Sequence, residues 1–216
     1  MNILVTGGAG YIGAHCCQEL ARRGFHPVVY DNLATGHREH VRWGEFFEGD
    51  IGDAAGLDEV CSRFRITAVM HFAAFIEVGE SVANPLTYYA NNVTGSLQLI
   101  RAMVRHGIRH IVFSSSAAVY GNPHQVPIDE EHPQEPDSPY GASKLCAEKL
   151  CLAYSKLHGL ETMCLRYFNV YGVNQRYDAY GNVETETITP SGRSRSTMWS
   201  TSSTVSGSKY SLSAVS

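Results

Sequence analysis

The chain of 216 residues is long enough to bury one good core and part of a second domain. Its net charge of −4 and its lack of a basic run argue against nucleic acid as a partner. No apolar run approaches the roughly 20 residues that cross a membrane, and the first residues already follow a strand pattern, so we expect neither an anchor nor a signal peptide. Six cysteines lack C-x-x-C spacing and ten histidines are scattered, so we expect a cytoplasmic protein with buried, reduced thiols and no metal.

Strand and helix patterns alternate along most of the chain. Apolar runs predict strands near 2–6, 26–30, 45–48, 67–71, 109–114 and 161–167, and helical periods predict helices near 11–23, 54–64, 84–106 and 139–158. Gly24, Gly107 and Gly159 are predicted C-terminal caps, and Asn84 and Ser138, each followed by proline, are predicted N-caps. This alternation predicts an α/β fold with a doubly wound parallel sheet, in which ligands bind beyond the carboxyl ends of the strands.

A glycine-rich turn follows the first predicted strand. Gly7, Gly10 and Gly13 have the spacing of a dinucleotide-binding loop and precede a helical pattern. The first glycine permits the tight turn, the second lets the backbone approach a pyrophosphate, and the third lets the helix pack close to the strand. The helix N-terminus offers N–H groups to the phosphates. The turn therefore predicts a Rossmann-type cofactor site; the alternative is a strand–turn–helix that binds nothing.

The second strand ends on Asp31, which lies roughly 20 residues beyond the loop, where an acid contacts the cofactor's ribose. A carboxylate at this place accepts hydrogen bonds from the ribose hydroxyls of NAD and repels the extra phosphate of NADP. NAD is therefore the predicted cofactor. His37 and Arg38 lie nearby and would favour a phosphate, which leaves NADP as the alternative.

Candidate catalytic groups follow the fifth strand and open the last helix. Tyr140 and Lys144 are one helical turn apart and share a face. A tyrosine is a poor base at its ordinary pKa near 10, and we expect the lysine ammonium and a bound nicotinamide to lower the pKa of Tyr140. The Ser114–Gly121 loop precedes them, and a serine hydroxyl there can bond a substrate hydroxyl. Each motif alone also fits a surface helix pair or a serine-rich turn.

Taken together, these motifs resemble the extended short-chain dehydrogenase/reductases of the NAD-dependent epimerase/dehydratase family, and among them the 4-epimerases that interconvert UDP-glucose and UDP-galactose. The resemblance covers residues 1 to about 175. It rests on the segments Thr6–Gly13, Asp31–Leu33, Gly49–Ile51, His71–Ala74, Val78–Ser81, Tyr88–Val93, Ser114–Gly121, Tyr140–Lys144 and Leu165–Val170.

The resemblance implies a role for each matching residue. The implied catalytic residues are Ser116, Tyr140 and Lys144. The implied NAD contacts are Gly7, Gly10, Tyr11, Ile12, Gly13, Asp31, Asn32, Leu33, Gly36, Asp50, Ile51, Phe72, Ala73, Ala74, Asn91, Tyr140, Lys144 and Phe168. The implied nucleotide-sugar contacts are Ser116, Tyr140, Phe168 and Asn169.

The implied reaction is 4-epimerisation through a 4-keto sugar, with Tyr140 as the base and Ser116 polarising the sugar hydroxyl. Ala117 and Ala118 stand where dehydratases of this family are expected to carry an acid pair, which disfavours dehydration. The Asn-Val-Tyr-Gly run from Asn169 is shared with enzymes for other nucleotide sugars, so another sugar stays open. Family analogy also implies a homodimer through the helices near 84–106 and 139–158.

The alternating pattern stops near residue 183. Residues 1–183 are expected to form the NAD-binding domain, and the Ser/Thr-rich segment 184–216 is expected to be disordered, with a short strand or two as the alternative. The C-terminal substrate domain of the family is therefore expected to be largely absent. This leaves a catalytically inactive, NAD-binding fragment as the alternative function.

Overall fold

The structure, a computed structural model, describes residues 1–175. The predicted domain boundary near 183 and the predicted disorder of 184–216 lie outside the described residues and stay predictions. The strands are β1 (Asn2–Thr6), β2 (His26–Asp31), β3 (Glu45–Glu48), β4 (Ala68–His71), β5 (His110–Ser116) and β6 (Glu161–Tyr167). The helices are α1 (Tyr11–Arg22), α2 (Ala54–Phe64), α3 (Val78–Ala83), α4 (Pro85–Tyr88), α5 (Ser96–Arg105) and α6 (Pro139–His158). A π-helical segment (Tyr89–Gly95) and 3₁₀ turns at Arg38–His40 and Ala117–Tyr120 complete the described elements.

The six strands form one sheet in the order β3-β2-β1-β4-β5-β6, and every neighbouring pair is parallel. The order reverses between β1 and β4, so the loops that follow these two strands diverge and leave a crevice at the carboxyl edge. The predicted Rossmann-type, doubly wound α/β sheet is confirmed. Each predicted strand is present, with its ends within two residues of the prediction.

The core lies on both faces of the sheet because consecutive strand residues point to opposite sides. Leu4 belongs to the larger cluster, which α2 and α5 cover with Leu57 and Leu99. Ile3 and Val5 belong to the smaller cluster on the other face. Leu4 and Val5 are fully buried on opposite faces of the sheet, which explains why the sequence of β1 is apolar at consecutive positions and does not alternate.

The predicted helix over 84–106 is interrupted, and the preceding helix α3 was not predicted. Asn84 makes no side-chain cap bond at the start of α4, whereas Ser138 accepts a 3.1 Å bond from Gly141 N at the start of α6. The π-helical segment follows because Asn92 uses its amide to bind Phe75 at both N and O, at 2.9 and 3.0 Å. A tertiary contact therefore sets the local helix geometry.

All three predicted boundary glycines have left-handed backbones, with φ of +80° at Gly24, +66° at Gly107 and +68° at Gly159. All six cysteines are free, but Cys146 is exposed and Cys16 is half-buried, so the expectation that all are buried is wrong for these two. Among residues 1–175, no helix is long and apolar enough to cross a membrane.

Candidate active site

A cleft of about 770 Å³ opens at the carboxyl edge of the sheet. Its walls come from the turns after β1 and β2, from the loop after β4, and from the end of β5 with the start of α6. The predicted site residues that line it are Gly7, Gly10, Tyr11, Ile12, Gly13, Asp31, Asn32, Gly36, Ile51, Phe72, Ala73, Ala74, Asn91, Ser116, Tyr140, Lys144, Phe168 and Asn169. The fold thus brings segments from most of the described chain to one place.

The glycine turn has the close contacts that its sequence predicted. Gly7 has φ of +71°, and a Cβ there would lie 2.5 Å from the backbone nitrogen of Ala73. A Cβ at Gly13 would lie 2.3 Å from the carbonyl oxygen of Gly7. At Gly10, the N-cap of α1, a Cβ would meet only the Gly7 oxygen, at 3.2 Å. The backbone is therefore open where a pyrophosphate would approach the helix N-terminus, as a dinucleotide requires.

Asp31 is buried at the end of β2, and both of its carboxylate oxygens are oriented by backbone donors. Ala9 N donates to Oδ2 at 3.0 Å, and Leu33 N donates to Oδ1 at 2.9 Å. Each oxygen keeps lone-pair capacity for another donor, such as a ribose hydroxyl. A Cβ at Gly36 would lie 2.9 Å from Oδ1, so the glycine leaves that approach open. These groups fit the adenosine ribose of NAD.

Two predicted cofactor residues, Leu33 and Asp50, do not line the cleft. Leu33 sits in the turn with a left-handed φ of +57°, and its contribution is the N–H that it gives to Asp31. The Asp50 carboxylate accepts bonds from Asn32 Nδ2 and Gly52 N, each at 2.7 Å. Both residues therefore shape the rim of the site from outside it.

The basic residues flagged after Asp31 separate in the structure. His37 lines the cleft. The guanidinium of Arg38 instead lies 4.3 Å from the ring centroid of Phe46, in a cation–π contact. Asp31 and His37 therefore line the cleft, and Arg38 does not.

Tyr140 and Lys144 are both buried against the end of β5. The Ser116 hydroxyl hydrogen-bonds the phenol of Tyr140. Lys144 Nζ donates to the carbonyl oxygen of Ser114 at 2.9 Å. A Cβ at Gly141 would lie 2.4 Å from the carbonyl oxygen of Ala118, so this glycine is what lets α6 approach the serine turn.

The electrostatics of the pair differ from the sequence-based expectation. Burial raises the pKa of Tyr140, the Ser116 bond lowers it, and the charge of Glu77 raises it further. In the protein alone the net shift of the Tyr140 pKa is therefore upward, and the expected lowering, which includes the charge of a bound nicotinamide, stays a prediction. Burial lowers the pKa of Lys144 to about 8, against the opposing effect of the Glu148 carboxylate. Desolvation disfavours both charged forms, because it penalises phenolate and ammonium alike.

Several residues that support the site were missed from the sequence. Glu77 lines the cleft on the loop after β4, and its charge acts on Tyr140. His71 lies behind the cleft between Thr6 Oγ1, at 2.6 Å, and Ser96 Oγ, at 2.8 Å. Burial, followed by the charge of Lys144, lowers the pKa of His71 to about 3. Spacing alone carries no signal for these contacts, because they join residues from different strands and loops.

Asn92 links the loop after β4 to the first turn of α6. Its amide nitrogen donates to Phe75 O and to Ser143 Oγ, each at 3.0 Å. Ser143 Oγ in turn donates to the carbonyl oxygen of Tyr140 at 2.7 Å. The loop after β4 and the first turn of α6 are therefore fixed relative to each other.

A family model described as "NAD dependent epimerase/dehydratase family" matches residues 3–199. The chain belongs to this family. A UDP-glucose 4-epimerase from Rhizobium meliloti is 52% identical over 173 residues, covering 80% of this chain and 53% of the relative. The Brucella ovis UDP-glucose 4-epimerase in complex with NAD is 50% identical with a TM-score of 0.77, covering 78% of this chain and 52% of that one. The Thermus thermophilus enzyme, also in complex with NAD, is 40% identical with a TM-score of 0.80, covering 84% and 60%.

This member of the epimerase/dehydratase family spans about half the length of the curated relatives that it matches. The residues that the family model matches, 3–199, include all the residues that line the cleft. The glycine turn, Asp31 and the Tyr140–Lys144 pair all lie within the residues that the family model matches.

Proposed function

We propose that this protein binds NAD and serves in the 4-epimerisation of UDP-glucose and UDP-galactose. The proposal rests on one observation: the predicted cofactor site and the predicted catalytic group share a single cleft. The phenol of Tyr140, bonded by Ser116, lines the same cleft as the glycine turn and Asp31. A cofactor held by the turn would therefore extend toward the catalytic helix. UDP-glucose 4-epimerases at about 50% identity support this activity.

The residues that would hold NAD follow from the cleft. The turn from Gly7 to Gly13 would hold the pyrophosphate at the N-terminus of α1. Asp31 would accept the hydroxyls of the adenosine ribose. Phe72, Ala73, Ala74 and Asn91 would line the path to the nicotinamide ribose, which Lys144 would bond.

The protein's part in the reaction is to place the sugar and to move one proton. The chemistry that NAD supplies when bound is reversible acceptance of the hydride from C4 of the sugar. Tyr140 would take the proton of the 4-hydroxyl as its base, and Ser116 would orient that hydroxyl. The ammonium of Lys144 would favour the phenolate once the phenol begins to lose its proton. The 4-keto sugar would then rotate in the site, and return of the hydride to the opposite face of C4 together with return of the proton to the oxygen would complete the epimerisation.

The side chains after Ser116 favour epimerisation over dehydration. Ala117 and Ala118 line the cleft at this place and carry no acid to protonate a leaving hydroxyl. Phe168 and Asn169 also line the cleft and would contact the nucleotide sugar. The proposed reaction therefore takes place at the C4 hydroxyl of the sugar, and no hydroxyl is eliminated from C6.

We also propose a cytoplasmic homodimer. Free thiols are the usual state in a reducing compartment. The helix faces expected at the dimer interface expose large apolar side chains, such as Leu86 at 81% and Leu157 at 74%. Light scattering would show twice the chain mass, and Leu86→Lys should shift the protein toward monomer.

Cofactor binding is tested by titrating the chain with NAD and NADP in a calorimeter. NAD should bind at least about tenfold more tightly, a difference of about 1.4 kcal/mol. Asp31→Asn should reduce this preference, and Glu59→Gln, which changes an exposed acid on α2, should leave it intact. Equal affinities for both cofactors in the unmodified chain would contradict the assignment of Asp31.

Catalysis is tested by conversion of UDP-galactose to UDP-glucose. Tyr140→Phe should keep NAD affinity and lower turnover by about 100-fold or more, the usual contribution of a general base. Near-normal turnover in Tyr140→Phe would remove this tyrosine from its role. NAD binding without any turnover by the unmodified chain would favour the alternative, an inactive cofactor-binding fragment.

A further inference from the structure

A buried ion pair lies one turn of α6 beyond Lys144. The carboxylate of Glu148 is fully buried, and Arg166 on β6 is 2% exposed. Arg166 Nε donates to Oε1 at 3.0 Å, and Nη2 donates to Oε2 at 2.8 Å. Forked pairs of this kind are strong, but a buried pair often adds little net stability after both charges are desolvated. Stability alone therefore does not explain why these two charges are buried here, which leaves room for a role at the neighbouring site.

The same pair is bonded to both sides of the turn that carries Ser116. The hydroxyl of Ser115, the preceding residue, donates to Glu148 Oε1. Arg166 Nη1 donates to the phenolic oxygen of Tyr120 at 2.9 Å, at the end of the 3₁₀ turn. β5 and β6 thus both bond one carboxylate on α6, and the 3₁₀ turn is joined to it through Arg166.

Lys144 is the neighbouring charge that this carboxylate acts on. The ammonium is 3% exposed, donates to Ser114 O, and lies 5.2 Å from the ring centroid of Phe113. From β4 it is faced by His71, whose pKa of about 3 leaves the ring neutral near pH 7. Burial lowers the pKa of Lys144 to about 8, and Glu148 is the group that raises it.

We propose that Glu148 is a positioning residue that keeps the ammonium of Lys144 charged inside the cleft wall, and that Arg166 and Ser115 hold the Glu148 carboxylate in place to do so. A charged Lys144 can donate to ribose hydroxyls and favour the phenolate of Tyr140, whereas a neutral amine does so poorly. The inference rests on the proposed function only in assigning Lys144 to the cofactor and to Tyr140.

The charge of Lys144 is measured directly by NMR of protein carrying ¹³Cε-lysine. The chain has four lysines, so the spectrum is simple, and Lys144→Met assigns the resonance. Glu148→Gln keeps the shape of the side chain and removes its charge. We expect the titration midpoint of Lys144 to fall from about 8, by on the order of 1 pH unit. The matched control Glu161→Gln, an exposed acid on β6, should leave the midpoint unchanged.

The direction of the shift separates this role from a structural one. If Glu148 only held the packing, its loss would admit water to Lys144 and raise the midpoint toward the ordinary value near 10.4. A raised or unchanged midpoint in folded Glu148→Gln would therefore overturn the proposal. If that variant does not fold, Glu148→Gln with Arg166→Met leaves no unpaired buried charge. A fall in the midpoint is still required of it, although a smaller one, because the positive charge of Arg166 is lost as well.

The titration needs neither cofactor nor substrate. A chain that shows the expected fall but does not bind NAD would contradict the proposed function and leave the role of Glu148 intact. A chain that binds NAD but shows no fall would contradict the role of Glu148 alone.

Discussion

The packing of α1 against the turn after β1 makes a sharp prediction about Gly13. Replacement by alanine would place a Cβ 2.3 Å from the carbonyl oxygen of Gly7 and 2.8 Å from Gly8 Cα. Both neighbours are backbone atoms, so no side chain can rotate away. To restore an ordinary contact, α1 must move by about 1 Å in a close-packed interior.

The magnitude follows from two opposing terms. Forcing an extra methyl into a well-packed place costs about 1–3 kcal/mol, and backbone neighbours on both sides favour the upper part of that range. Alanine in a helix recovers roughly 0.5–1 kcal/mol relative to glycine. We therefore expect Gly13→Ala to lower the free energy of unfolding by about 2 kcal/mol, and to weaken NAD binding because the helix N-terminus is displaced.

Gly79→Ala is the matched control. Gly79 lies inside α3, and a Cβ there would meet nothing within 4 Å. The variant should raise the free energy of unfolding by about 0.5–1 kcal/mol and leave NAD affinity unchanged. Urea denaturation measures the first quantity and calorimetric titration the second. The reasoning would be refuted if Gly13→Ala were as stable as Gly79→Ala, since both gain the same helix propensity and differ only in the predicted clash.

Three further predictions concern the catalytic wall. Glu77→Gln should lower the pKa of Tyr140, because the charge of Glu77 raises it. NMR of protein carrying ¹³Cζ-tyrosine measures the titration of the phenol. The control Glu80→Gln should leave the pKa of Tyr140 unchanged. His71 has a pKa of about 3 in the folded protein, below its unfolded value near 6.5, so its contribution to stability is present above pH 6.5 and is lost as the pH falls toward 3. Denaturation at several pH values should show a loss of up to about 1.4 kcal/mol per pH unit in this window, and His71→Asn should flatten that slope; an equally steep slope would argue against it. Gly141→Ala would place a Cβ 2.4 Å from Ala118 O and should therefore separate α6 from the serine turn. We expect lower turnover with little change in NAD affinity. Unchanged turnover would show that the close contact of α6 with this turn is not needed.

The sequence by itself determined the architecture and most of the cleft. Strand runs such as Ile3–Val5 are buried on both faces, so their apolar character is visible without a structure. The need for glycine at Gly13 is equally local, because the turn and the following helix are built from adjacent residues, whereas the close approach of Gly7 to Ala73 comes from a loop far along the chain. The helical pattern over 84–106 did not predict the interruption of this helix. There the amide of Asn92 bonds Phe75, 17 residues earlier, and the backbone around it is π-helical.

Only the tertiary structure decided the charges at the catalytic pair. From the sequence, Lys144 was expected to lower the pKa of Tyr140, since spacing shows that two residues share a helix face but not how deeply they are buried. In the fold both side chains lose water, Ser116 and Glu77 reach Tyr140 from other elements, and Glu148 meets Arg166 from β6. These effects depend on distance and desolvation between segments far apart in the chain, and such distances exist only once the sheet has brought its carboxyl edge together.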